Sequence, residues 1–332
     1  MEIAYGILSA NEPVGAVRQL VRTLGDDDPV FVHHDFSRQA RFDLDCPGAY
    51  VIPDYRHTGW GTPGFVRAVF HLVRTALERS RFDYFQLLSG SCLPTRPTAD
   101  LKRHLAATDV AVHADLIDLD ADVEATMSHG HRVFCRADRP AARILRRARR
   151  WYFADRFATE HRANLGIQRL DPTQPLRPLQ RLGRRIHLAA RSGALDQHPF
   201  HARVTPYVGC LWFCLRRDAC EYLVRQEHEN GLMPYLLALP LCDEIVFPTL
   251  LGNSGFASAG SNHLVNRFDG PHPRQFDPGD LPALARSDRH FARKFRPDPH
   301  DPVRRSVIES LRVRRPATAQ EAHHDHPALL LP

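Results

Sequence analysis

Lysine is nearly missing from this chain: of 44 Lys plus Arg residues only Lys102 and Lys294 are lysine, leaving 42 arginines. A sequence so biased towards arginine keeps lysine rarely, so both exceptions call for inspection. Paired cysteines are missing as well. Cys46, Cys92, Cys135, Cys210, Cys214, Cys220 and Cys242 form an odd set with no CxxC spacing, which argues against a disulfide framework or a common zinc motif and reads as small buried apolar residues. No apolar run approaches the roughly 20 residues of a membrane span; this excludes integral membrane association and leaves peripheral association open. The opening Met1-Glu2-Ile3-Ala4-Tyr5 has neither the basic flank nor the long apolar segment of a secretion signal, so a cytoplasmic location is expected. Internal repeats are absent.

What is there suits a folded enzyme. With 332 residues, 43% hydrophobic and 25% charged, the chain has ample material for one large α/β domain. The formal charge of +6 suits a polyanionic partner, and a nucleotide diphosphate or a nucleic acid would both qualify.

Residues 3 to 8 (IAYGIL) and 30 to 33 (VFVH) read as buried strands around an amphipathic stretch, Val14 to Leu24, with Val17, Leu20, Val21 and Leu24 at helical spacing. A third strand, 49 to 53, leads through a Gly-rich turn into a helix from about Pro63 to Arg79, and DYFQLLSG at 83 to 90 is a further strand. Strands alternating with helices predict a mostly parallel sheet with ligands at the carboxyl ends of its strands. Another strand is expected at 109 to 114. Between about 130 and 205 the chain turns Arg-rich and helical with a Pro-punctuated middle, as an inserted or covering layer would. Pattern returns as a strand at 207 to 215, a helix from Asp218 to Glu229 and a buried helix or strand around IVFPTLL. Residues 315 to 332 are expected to be a disordered tail, in which His323, His324 and His326 could bind metal adventitiously.

Several constellations carry chemistry, each beside a plainer reading. Gly59-Trp60-Gly61-Thr62-Pro63-Gly64 formally matches GxGxxG, yet Pro63 removes one N–H that would meet a pyrophosphate; a tight turn, or an aromatic floor for a base or ribose, competes. Val32-His33-His34-Asp35 ends a strand where a carboxylate can accept bonds from a ribose or base, and His-His-Asp also suggests a metal. Asp118-Leu119-Asp120-Ala121-Asp122 gives overlapping DxD patterns, either a metal-diphosphate site or acids at a helix start. Asp243-Glu244 heads a hydrophobic element, where partial desolvation can raise a carboxyl towards the range of a general base, or where an acid simply complements a helix dipole. His290-Phe291-Ala292-Arg293-Lys294-Phe295 sets two cations between aromatics, so that anchored phenylalanines could aim a cation at an anion.

Taken in order, Ile3-Ala4-Tyr5, Phe31 to Asp35, Trp60-Gly61, Asp83 to Ser91 with Pro94, Gly209 to Phe213, Asp243-Glu244 and Phe291 to Phe295 resemble the core-2/I-branching N-acetylglucosaminyltransferase and peptide O-xylosyltransferase family, over roughly residues 3 to 300. The LLSG and FARKF segments are the distinctive ones. This resemblance implies a GT-A-like, Rossmann-type α/β fold, here with the Arg-rich helical insertion, and an inverting, metal-independent transfer from a UDP-sugar, N-acetylglucosamine or xylose, to an acceptor hydroxyl. It implies a single domain over 1 to 314: a donor-binding half to about 128, the insertion at about 130 to 205, and an acceptor and catalytic half from 206.

By the same resemblance Glu244 is the base. Lys294, with Arg293 and the upstream Arg274 (or Arg267), neutralises the leaving diphosphate; Asp35, His33, Trp60 and Gly61 hold the nucleoside; Ser89, Gly90, Ser91, Trp212 and Asp243 line the donor and acceptor cleft. No metal or cofactor beyond the UDP-sugar is implied, since Ser89-Gly90-Ser91 stands where metal-using relatives carry acids. Cys92 departs from the family, where an acid often follows this segment. The partners are then a nucleotide sugar and a glycan or small-molecule hydroxyl, in surface-glycan or natural-product biosynthesis, and no nucleic acid. Two readings from other classes stay open: a nucleic-acid binder using Arg143 to Arg150, and a nicotinamide-dependent oxidoreductase using the 59 to 64 turn.

Overall fold

The computed structural model describes residues 1–25, 27–154, 157–162, 165–200, 204–269 and 272–314; the expected tail lies outside them. Strand β1 (Ile3–Ser9) is followed by helix α1 (Val14–Leu24), whose expected apolar stripe is buried, and by strand β2 (Val30–His34). Strand β3 (Ala49–Val51) is shorter than expected and ends before Pro53, which has no N–H to give a ladder. Helix α2 (Pro63–Arg79) starts with proline in its first turn and buries Val66, Val69, Phe70 and Val73, each contributing about 1.5–3 kcal/mol on full burial. Strand β4 (Tyr84–Ser89) is buried throughout, and the two-residue strand β5 (Leu93–Pro94) leads to helix α3 (Thr98–Ala106) and strand β6 (Val112–Ala114).

The main sheet has seven strands in the order Ser258–Ala259, β6, Phe213–Arg216, β4, β1, β2, β3. Its pairs are parallel except at Phe213–Arg216, which runs antiparallel between β4 and β6. Ile7 sits opposite both Val32 and Leu88, so β1 is central and apolar on both faces. The fold is thus mixed α/β with a mostly parallel sheet flanked by helices. A smaller sheet joins Leu264–Asn266, Phe291–Arg293 and β5.

The Arg-rich stretch is expected to begin at about 130. That boundary falls inside helix α4 (Val123–Val133), which packs with helices α5 (Pro140–Tyr152) and α6 (Pro178–Arg191) and the hairpin Ala158–Arg162 with Leu165–Arg169. The strand expected at 207 to 215 is split. Tyr207–Val208 pairs with Ile117–Asp118, and Phe213–Arg216 enters the main sheet. The break falls at Gly209, where any Cβ would lie 1.7 Å from the Asp115 carbonyl oxygen. Helix α7 (Arg217–Glu229) follows, and the undecided segment around IVFPTLL is a helix, Asp243–Gly252, buried almost throughout despite Pro248 inside it. No helix among the described residues is long and apolar enough to cross a membrane.

Candidate functional site

The parallel strands β1, β2 and β4 end side by side, at Ser9, His34 and Ser89, and a cleft of about 370 Å³ opens just beyond them. Its lining includes Ser9, Asp35, Trp60, Ser89, Ser91, Trp212, Arg293 and Lys294. Seven positions singled out in the sequence therefore converge from five separate segments. The convergence follows from topology, since successive parallel strands bring their carboxyl ends to one edge.

The two cations arrive by anchoring. Strand Phe291–Arg293 pairs antiparallel with β5, and Phe295 N–H donates to the Ser91 carbonyl at 2.9 Å. Phe291 and Phe295 are buried, so the backbone between them is fixed while Arg293 and Lys294 stay partly open. Arg293 donates from Nε to Ser89 Oγ at 3.2 Å and lays its guanidinium over the Trp212 ring, 5.3 Å from the centroid. Lys294 has no carboxylate partner among the described residues, whereas the other lysine, Lys102, is spent on Asp28 at 2.7 Å. Ser89 and Ser91 share a hydroxyl contact of 2.9 Å, and the glycine between them lets the β4 turn approach Ser9, where a Cβ would stand 2.8 Å from the serine's own.

Across the cleft, Asp35 accepts from Thr58 N–H at 2.5 Å, Thr58 Oγ1 at 3.0 Å and Ser37 N–H at 3.0 Å. Burial pushes its carboxyl up, but the bonds from Thr58 and Ser37 outweigh this and hold it at about 2. Asp35 is therefore a fixed anion that shapes the 56 to 62 loop, with few acceptor positions left for a ligand. That loop presents Trp60, 75% exposed, at the rim. Gly61 has φ +67 and faces Leu241, so it serves the turn rather than the cleft lining. His33 lies behind the site: fully buried, it accepts Arg56 N–H at Nε2 (2.8 Å), and burial, then neighbouring His71, push its pKa down to about 4.

Glu244 stands near the cleft but outside its lining. Its carboxylate meets Arg132 of α4 at 2.7 Å, with 25% of the Glu244 side chain and 7% of the Arg132 side chain exposed. Pro248 cannot donate to the carbonyl one turn back, which leaves Glu244 O free to accept Gly209 N–H at 3.0 Å. The base candidate is thereby stitched to the turn that carries Trp212. Cys210 follows Gly209 in that turn: burial, then the Asp115 charge, push its thiol up, while Arg293 acts downward and Glu244 adds a smaller upward push. The carboxyl with raised proton affinity is Asp243, at about 6, through burial first and the Glu244 charge second. Its Oδ1 has no hydrogen-bond partner among the described residues.

Other sequence candidates fall elsewhere. Arg274 is outside the cleft lining and forks onto Asp280 at 2.8 and 2.7 Å, and Arg267 meets the same carboxylate at 3.7 Å. The DxD acids are engaged locally: Asp118 accepts Asp120 and Ala121 N–H, Asp120 pairs with Arg191, and Asp122 caps α4 and pairs with Arg169. The 59 to 64 turn follows β3, the sheet's edge strand, and not the first strand as a dinucleotide fingerprint would. Glu12, Arg38 and Thr58 line the cleft without having been singled out. The strand-end rule could have found Glu12, three residues past β1; nothing in the local pattern marks Arg38.

Residues 21–122 match the family described as Core-2/I-Branching enzyme, a family of glycosyltransferases. The matched segment spans β2, β3, β4 and the Asp35, Trp60 and Ser89 to Ser91 corner of the cleft. No curated protein matches the chain.

Proposed function

We propose that the chain is an inverting, metal-independent glycosyltransferase of GT-A-like fold that transfers a sugar from UDP, N-acetylglucosamine or xylose, to an acceptor hydroxyl in cytoplasmic surface-glycan or natural-product biosynthesis. The observation that carries this reading is the pairing of Lys294 and Arg293 against the Ser89-Gly90-Ser91 turn at the strand ends, inside the fold that the glycosyltransferase match enters. Fixed cations there would meet the charge that develops on a departing diphosphate, the place where such charge is most effectively stabilised. Ser89-Gly90-Ser91 itself offers hydroxyls and no carboxylate.

In the proposed reaction Glu244 takes the proton of the acceptor hydroxyl. That oxygen bonds to the anomeric carbon from the face opposite UDP, the carbon–phosphate oxygen bond breaks, and UDP leaves against Lys294 and Arg293. Trp60 and Asp35 would flank the nucleoside. Arg132 holds the Glu244 carboxylate and would have to share it with the acceptor.

The test is thermal unfolding of the full chain with UDP, UDP-N-acetylglucosamine and UDP-xylose, each with and without manganese. A ligand at 100 times its Kd adds about 2.7 kcal/mol to the folded state, so UDP should raise the melting temperature without added metal, and Lys294→Ala should reduce that shift. Stabilisation that requires manganese would sink the metal-free reading, and an NAD shift in place of a UDP shift would favour the oxidoreductase.

A further inference from the structure

Four histidines from four distant segments meet at the junction of the two sheets, and none lines the cleft described above. His104 lies in the last turn of α3, His113 in β6, His263 just before Leu264–Asn266, and His290 just before Phe291–Arg293. The ring centroids of His113 and His263 are 4.6 Å apart, those of His104 and His263 5.2 Å, and those of His104 and His290 5.6 Å. Among the described residues, neither ring nitrogen of His113, 1% exposed, has a hydrogen-bond partner, and Nε2 of His263, 4% exposed, has none either. Buried polar atoms are almost always satisfied, so three orphaned nitrogens on two adjacent rings require an explanation.

One ring nitrogen from each of His104, His113 and His263 lies within 4.8 Å of the other two. A point therefore exists within about 2.8 Å of all three, and closing to the roughly 2.0–2.1 Å of a zinc–imidazole bond needs each ring to move by less than about 1 Å. We propose that His104, His113 and His263 form a structural site for a divalent transition metal, zinc before the others, with His290 Nδ1 or a water in the fourth position.

The chemistry of the donors fits. All are imidazoles, which suit zinc, copper and nickel better than magnesium or calcium. Arg289 is the opposing charge beside the site; it is partnered by Asp288 at 3.6 Å. A bound ion would pin β6 to the backbone that enters Phe291–Arg293, where His263 O already accepts from His290 and Phe291 N–H. Arg293 and Lys294 follow directly, so the metal would brace the cation segment from behind without touching the transferred sugar.

The test uses the full chain with His323, His324 and His326 replaced by alanine, so that the tail cannot bind metal, stripped with chelator and then dialysed. Zinc titration should give one equivalent bound and a raised melting temperature, and cobalt in its place should give the visible absorption of a tetrahedral centre. His104→Ala, at an exposed position that leaves the core intact, should weaken zinc binding at least about tenfold, as should His263→Asn, chosen because asparagine tolerates the left-handed backbone at φ +64. UDP affinity should be the same in His104→Ala with and without zinc, which separates this site from the cleft. Absence of bound zinc, or equal affinity in wild type and both variants, overturns the proposal and leaves a stack of neutral rings.

Discussion

Asp243 and Glu244 are adjacent at the start of one helix, yet their surroundings divide the attributes of a base between them. Asp243 has the proton affinity, at about 6, but little access; Glu244 has the access and an arginine partner. Access decides, because a base must reach within hydrogen-bond distance of the proton it takes. Glu244→Gln is expected to retain UDP binding and lose transfer by about two to four orders of magnitude, whereas Asp243→Asn should change stability more than turnover. The sign for Asp243 follows from its raised pKa. The stability it contributes is complete below its unfolded value near 4 and is lost as pH rises through about 6, on the order of 3 kcal/mol in all. Denaturant unfolding should therefore find Asp243→Asn more stable than wild type at about pH 8 and level with it at about pH 4. A transfer loss in Asp243→Asn as large as that of Glu244→Gln would move the base to Asp243. The rarity of lysine marks Lys102 and Lys294 alike, and only the fold separates them, placing Lys294 in the cleft lining and Lys102 on Asp28; Arg132 could not be anticipated, since its pairing with Glu244 exists only once α4 has packed.

At the scale of elements, the period of hydrophobic residues located β1, α1, β2, α2 and β4 to within a residue or two. It failed where a backbone approach, and not a pattern, decides the path. YVGCLWFCL reads as one strand because it is a short apolar run interrupted only by Gly209, but Gly209 packs against the Asp115 carbonyl and the chain turns there. The helix Asp243–Gly252 was ambiguous for another reason: buried on all sides, it has no polar face to set a period. The two meet at the Gly209 N–H bond to Glu244 O, which the missing N–H of Pro248 leaves open. Gly209→Ala must displace backbone, which costs about 1–3 kcal/mol in a packed interior, and it should also weaken UDP binding by shifting Trp212 beneath Arg293. Chemical denaturation alongside UDP titration checks both; a destabilised variant with unchanged UDP affinity would show that the turn serves the fold alone.

At the scale of the molecule, the positive charge is concentrated in the layer that departs most from the sequence resemblance. Helices α5 and α6 contain no acid and pack so closely that a Cβ on Gly183 would stand 2.5 Å from the Ala148 carbonyl. Their outer surface carries Arg143, Arg147, Arg150, Arg181, Arg184 and Arg185 among exposed Ile144, Leu179, Leu182 and Leu188. Arginine alone would suit a polynucleotide, but exposed aliphatic side chains gain nothing on a phosphate backbone and gain by entering an interface of lipid head groups. The same α4 to α6 layer supplies Arg132 to Glu244, so on the proposed reaction a docked membrane would lie against the layer that holds the base. The chain should therefore sediment with vesicles rich in anionic lipid and not with neutral ones, and rising salt should release it. Each arginine contributes about 1 kcal/mol at such a surface, so Arg147→Gln with Arg150→Gln should weaken vesicle binding by more than about tenfold. Leu179→Ser with Leu182→Ser decides between the two polyanions: it should weaken vesicle binding as well, whereas binding to a polynucleotide would follow the arginines and ignore the leucines.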